Sequence, residues 1–118
     1  MDAPKPINKE YKVIGNQQVK LTVMIGDGQQ GDPVVMLDSQ LLKIGNITGL
    51  NIGYGDGIKG KKLYVKTVVN DVNPKTNHTS IVYILEGGES TLHEINEGTI
   101  GTNGNGGSMV YRDQFNFA

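Results

Sequence analysis

The stretch IGDGQQGDP, residues 25–33, sets Gly26, Gly28 and Gly31 at the G-x-G-x-x-G spacing that cradles a dinucleotide pyrophosphate. That chemistry needs a helix to begin directly after the glycines, because its free N–H groups and positive end face the phosphates. The adjoining residues 32–45, DPVVMLDSQLLKIG, can be read in two ways. As a helix, they take Asp32 as cap, Pro33 at the first position and Gly45 as the end. As a hairpin, VVML turns at Asp38-Ser39 into QLLKI, and the Val34-Val35 doublet and strand-rich surroundings favour this reading. The chain has no second strand–helix–strand unit, and the next acidic residue able to reach a ribose, Asp56, lies in a glycine turn. The glycines are therefore read as a structural turn, and no nucleotide cofactor is expected.

Other residue types offer other chemistry. Asp27, Asp32 and Asp56 all stand in glycine turns, where carboxylates and carbonyls can gather around calcium, a cation that takes six to eight oxygens. The D-x-[DN]-x-[DN]-G pattern is absent, and Asp and Gly are also the ordinary residues of turns. The histidines are His78, in a turn, and His93; with no cysteine and no H-x-x-x-H pair, a zinc site has few ligands to draw on. There is no G-x-S-x-G elbow for a serine nucleophile. Glu86, Glu89, Glu94 and Glu97 form an acidic stretch that could supply the paired carboxylates of glycoside hydrolysis, but beside glycine turns they read as a solvated rim. Tyr54, in NIGYGDG, is freed from packing by its glycine neighbours and can stack on a sugar ring or cover the end of the core.

Bulk properties narrow the partners. The chain has 118 residues, 11 basic and 12 acidic, for a net charge of −1. Nucleic-acid binding draws on a basic excess that is missing here, and the Lys59, Lys61, Lys62 cluster reads as a solvated loop. No stretch approaches the roughly 20 apolar residues of a membrane span. A chain of this length removes roughly two-thirds of its unfolded surface from water, so it needs no disulfide or structural metal. Asn46-Ile47-Thr48 and Asn77-His78-Thr79 match the N-glycosylation pattern, which matters only on a eukaryotic secretory route.

The elements that must position these residues are strands. SMVYRDQFNFA at the carboxy terminus puts Met109, Tyr111, Phe115 and Phe117 on one parity, the period-two mark of a strand with one face in the core. KKLYVKTVVNDVN (61–73) changes apolar face midway, so a bulge or cover on both sides is expected. With TSIVYILE (79–86) across the NPKTN turn it reads as an antiparallel hairpin at the centre of the sheet. EYKVIG (10–15), QVKLTVMIG (18–26) and NITGLNIG (46–53) read as further strands. ESTLHEINEG (89–98) is ambiguous, with Ser90 and Gly98 able to bound a single helical turn. The 98–107 loop, rich in glycine and asparagine, and residues 1–9, read as a polar tail or linker, flank the rest.

Seven or eight short strands imply an all-β, antiparallel β-sandwich over residues 10–118, with a small barrel as the alternative. The expected function is a non-catalytic module for protein–protein interaction, assembly or self-association, such as an exported, surface or phage-like structural system uses. The 98–107 loop and edge strands would make its contacts. The second reading is a carbohydrate- or small-ligand-binding module using Asp27, Asp32, Tyr54 and Asp56, which requires loops 26–33 and 53–61 to share one end of the sandwich. A small hydrolase is the third.

Overall fold

Half of each long strand faces an apolar interior, and this alternation builds the molecule. The computed structural model describes residues 3–101 and 107–118. Its strands are β1 (Asn8–Tyr11), β2 (Gln18–Ile25), β3 (Gln30–Gly31), β4 (Val34–Leu37), β5 (Gln40–Ile44), β6 (Ile47–Tyr54), β7 (Lys62–Asn70), β8 (His78–Glu86), β9 (Leu92–Thr99) and β10 (Ser108–Phe117). A single helical turn, α1 (Gly55–Ile58), interrupts them. One sheet runs β1-β10-β7-β4-β5, with β3 also on the edge of β7; the other runs β6-β2-β8-β9. The all-β sandwich is as expected; among the described residues no closed barrel forms and the strands number ten, not seven or eight.

The core lies between the sheets. Phe115, Tyr111, Leu63, Val65 and Val35 face Leu21, Ile81, Tyr83 and Leu85 across it, all fully buried or nearly so. The carboxy-terminal alternation is borne out: Met109, Tyr111, Phe115 and Phe117 all point inward. Phe115 meets Tyr83 edge-on, with ring centroids 5.4 Å apart. The turn at Asp38-Ser39 also forms, so residues 33–45 are the β4–β5 hairpin and not a helix.

Polar groups tie the two sheets together inside this core. Asp113 shares the inward parity of β10 and is buried. Its carboxylate accepts hydrogen bonds from the Tyr83 hydroxyl and, at 2.9 Å, from the Asn96 amide, both on the opposite sheet. The Ile7 N–H donates to the same carboxylate at 2.8 Å. Nearby, Thr79 and Tyr111 are joined hydroxyl to hydroxyl at 2.6 Å. A buried carboxylate is tolerable only when it is satisfied in this way. Burial and the adjacent Asp113 charge push the Tyr83 phenol far above its ordinary range. The Ile7 bond also leads the chain into β1, which begins at Asn8, within the segment read as a tail, and pairs with β10 in parallel.

Three local expectations are corrected. Residues 61–73 and 79–86 do not form a hairpin: β7 pairs with β10, β4 and β3, whereas β8 pairs with β2 and β9. Their link, residues 71–77, is longer than a tight hairpin turn and crosses from one sheet to the other. The Gln29 side chain holds it there, accepting from the Val72 and Asn73 N–H groups at 2.8 and 2.9 Å and donating to the Thr76 and His78 carbonyls at 3.1 Å. Nor does β7 bulge: its inward row is Leu63, Val65, Thr67 and Val69, and the polar Thr67 inside with the apolar Tyr64 and Val68 outside made the apolar face look as though it changed. Finally, residues 92–99 are strand β9, in unbroken register with β8, and not a helical turn. Of the 98–107 loop, Gly98 and Thr99 belong to β9 and Ile100 is buried; residues 102–106 lie outside the described residues.

Two substitutions measure these ties in denaturant unfolding. Phe115→Ala should cost about 3–5 kcal/mol through the cavity it leaves. Gln29→Ala should cost roughly 2–4 kcal/mol, because two backbone N–H groups of the crossover lose their acceptor.

Candidate functional site

Each glycine of the G-x-G-x-x-G stretch has a packing or backbone reason. Asp27 and Gly28 have φ of 59° and 70°, and the Gln29 N–H donates to the Gly26 carbonyl at 3.1 Å, so 26–29 is a turn of the primed class. A Cβ on Gly26 would collide with the Ser80 hydroxyl, and one on Gly31 would press on the Val68 carbonyl at 2.6 Å. The next long element is strand β4, not a helix.

The turn organises a polar cluster. The Ser80 hydroxyl donates to Asp27 Oδ2 at 2.6 Å, and His78 Nδ1 lies 3.0 Å from the same oxygen. The other ring nitrogen of His78 is 3.8 Å from Glu97 Oε1. Serine, histidine and aspartate therefore meet, but the carboxylate sits between the other two. The proton of Ser80 is directed at Asp27 and not at an imidazole base, which is not the wiring of a nucleophile. The Ser80 hydrogen bond, reinforced by His78, holds the Asp27 carboxyl below the usual carboxylate range against the opposing effect of desolvation. His93 stands opposite Ile84 on β9, about 20 Å along the sheet from His78, so the two histidines do not converge.

The four residues read as ligand-binding divide between two ends. Asp27 comes just after the end of β2, whereas Tyr54 pairs with Gln18 at its start, about 23 Å away. Asp56 sits with Tyr54, its N–H donating to the Gly15 carbonyl at 3.0 Å. Tyr54 is 58% exposed. Loops 26–33 and 53–61 thus do not share an end, and the joint site expected of them is not assembled. Asp32 lies on the Asp27 end, in an open groove of about 720 Å³ with Gln30, Asn46, Thr48, Asn70 and Met24. Among the described residues no three carboxylates or histidines are grouped as metal ligands. Asp27, Asp32 and Asp56 do not converge as a calcium site would require.

The larger feature is the outer face of the six-stranded sheet, which the sequence does not single out. Register places Ile44, Val34, Lys66 and Arg112 in one outward row across β5, β4, β7 and β10. Leu41, Met36, Tyr64 and Gln114 form the next row on one side, and Val68 with Val110 the row on the other. Ile44 and Leu41 are 57% and 51% exposed, and Tyr64, Val68 and Val110 lie between 36% and 41%. A depression of about 210 Å³ opens between Tyr64, Lys66, Arg112 and Gln114. Lys66 and Arg112 are directly opposite, a like-charge pairing that costs stability, and among the described residues neither makes an ion pair. The signal lies in the outward parity of β7 and β10, where valines and a tyrosine alternate with the core residues.

The chain matches no protein-family model, no curated protein and no solved structure at a significant level.

Two measurements probe the Asp27 end. Asp27 has a folded pKa below its ordinary 3.8, so its contribution is complete above that value and is lost as pH falls through the folded pKa. Urea midpoints recorded from neutral pH down to about pH 2 should therefore fall less steeply below pH 4 in Asp27→Asn than in the native chain. If the separated aspartates hold no calcium, thermal melts in calcium and in chelator should coincide; a rise of several degrees in calcium would contradict this.

Proposed function

We propose that this chain is a non-catalytic interaction module whose contact surface is the outer face of the six-stranded sheet. The observation that supports it is the set of exposed apolar side chains registered across four strands, with Leu41, Ile44 and Tyr64 toward one end and Val68 with Val110 beyond the Lys66–Arg112 pair. The core gains nothing from them, since the inward rows already fill it. Exposed apolar side chains gathered on one face around charged groups mark a contact surface more than singly scattered ones do. Aromatic and arginine side chains beside a depression are the groups that dominate binding energy at interfaces, and Tyr64 and Arg112 occupy those places. The reading needs no metal, cofactor or nucleic acid.

The Asp32 groove favours a second reading, a small polar ligand such as a sugar held at the 26–33 end. Tyr54 lies too far away to stack on it.

A photo-crosslinking residue in place of Val68, introduced in the cells that make the protein, tests the first reading. It should yield a discrete protein adduct that Ile44→Glu abolishes, while the same probe at Lys59 yields none. Equal adducts from both positions, or none from Val68, would contradict it.

A further inference from the structure

The four-stranded sheet also has an outer face, and it complements the first. Register aligns Met24, Val82 and Ile95 in one outward row across β2, β8 and β9. Met24 is 48% and Ile95 55% exposed. The adjacent outward row carries Ser80 and Glu97. On the six-stranded sheet the apolar row Val68–Val110 is likewise adjacent to the charged row Lys66–Arg112. Outward rows along a strand are about 6.7 Å apart, so one such step from an apolar row the six-stranded face offers Lys66 and Arg112 and the four-stranded face offers Glu97, which has His78 3.8 Å away. The signs are opposite. Ser80 is buried and spends its hydroxyl on Asp27, which leaves Glu97 as the exposed charge of its row.

Resting on the interaction reading above, we infer that the partner of the basic, apolar face is the acidic, apolar face of a second copy of this chain. Val68 and Val110 lie over Met24, Val82 and Ile95, and this register brings Lys66 and Arg112 over Glu97. The like-charge pair Lys66–Arg112, unfavourable in the isolated chain, gains its counter-charge from the neighbour. Two different faces meet, so the contact is head-to-tail. A pair of copies therefore retains one free face of each kind, one on each copy, and association continues into rings or open stacks. Sheets packed face to face in this way adopt the geometry already present within the sandwich.

Charge reversal tests the pairing directly. Arg112→Glu and Glu97→Arg are both on exposed outward positions, and cooperative thermal melts no lower than that of the native chain confirm that both variants fold. Sedimentation velocity over a concentration series should show the native chain forming larger species at rising concentration. Each variant alone should associate at least about tenfold more weakly, because like charges then face each other. An equal mixture of the two should recover association, since the glutamate at 112 then faces the arginine at 97. Failure of the native chain to associate, or a Glu97→Arg variant that associates as the native chain does, would overturn the inference. Either of those results leaves the Val68 crosslinking readout free to stand, because a foreign protein would then occupy the basic face. Loss of the Val68 adduct is the separate failure of the interaction reading itself.

Discussion

A strand in a two-layer sandwich can bury only one of its two faces, and this limit governs everything else in the molecule. The inward row of β7 is Leu63, Val65, Thr67 and Val69; the inward row of β10 is Met109, Tyr111, Asp113, Phe115 and Phe117. What is left on the other parity is not determined by the core. In many sandwiches that remainder is polar, because water is its only neighbour. Here it includes valines, methionines, isoleucines and a tyrosine, arranged in registered rows on both sheets. Folding accounts for the inside of this protein; the proposed contact is the reading offered for its outside.

The interior needs more than apolar contact to set its geometry. Asp113 is the one inward carboxylate of β10, and its partners come from Tyr83 and Asn96 on the facing sheet and from the backbone at Ile7. These bonds lock one sheet over the other at a fixed offset and draw the amino-terminal segment onto β10. Gln29 does the equivalent work at one of the crossings between the sheets, where the chain passes from β7 to β8. Both residues are polar groups whose removal would leave buried donors or acceptors without partners, so they specify the arrangement more than they strengthen it.

How far the fold is legible in the sequence depends on the range of the interaction. Period-two alternation is local, and it correctly locates β10, β6 and the sandwich class; for residues 33–45 only the Val34-Val35 doublet and the strand-rich surroundings tip the reading toward the β4–β5 hairpin over a helix. The glycine motif is also legible, because the absence of a nucleotide-binding context around Gly26, Gly28 and Gly31 shows in the residues beside them. Pairing is not legible. The turn residues between β7 and β8 are the same whether the chain doubles back in one sheet or crosses to another, and what decides is a glutamine some forty residues upstream. A threonine at an inward position disguises the regularity of β7. Asp113 lies in plain view on the inward parity of the most regular strand, yet only its partners on β8 and β9 show what it does. The candidate site is hidden for a related reason: outward residues form a surface only once strand order places β5, β4, β7 and β10 side by side. Conversely, Asp27 and Tyr54 look like neighbours in function until the length of β2 is seen to separate them.

The central claim is that the outward rows, and not the ends of the sandwich, are where this protein meets its partner. Amide proton–nitrogen NMR spectra recorded on the native chain across a dilution series address it residue by residue. The account predicts concentration-dependent shifts along β7 and β10 and along β2, β8 and β9, with α1 unmoved. Shifts confined to α1 and the 26–29 turn, with the strand amides of both sheets unchanged, would contradict it.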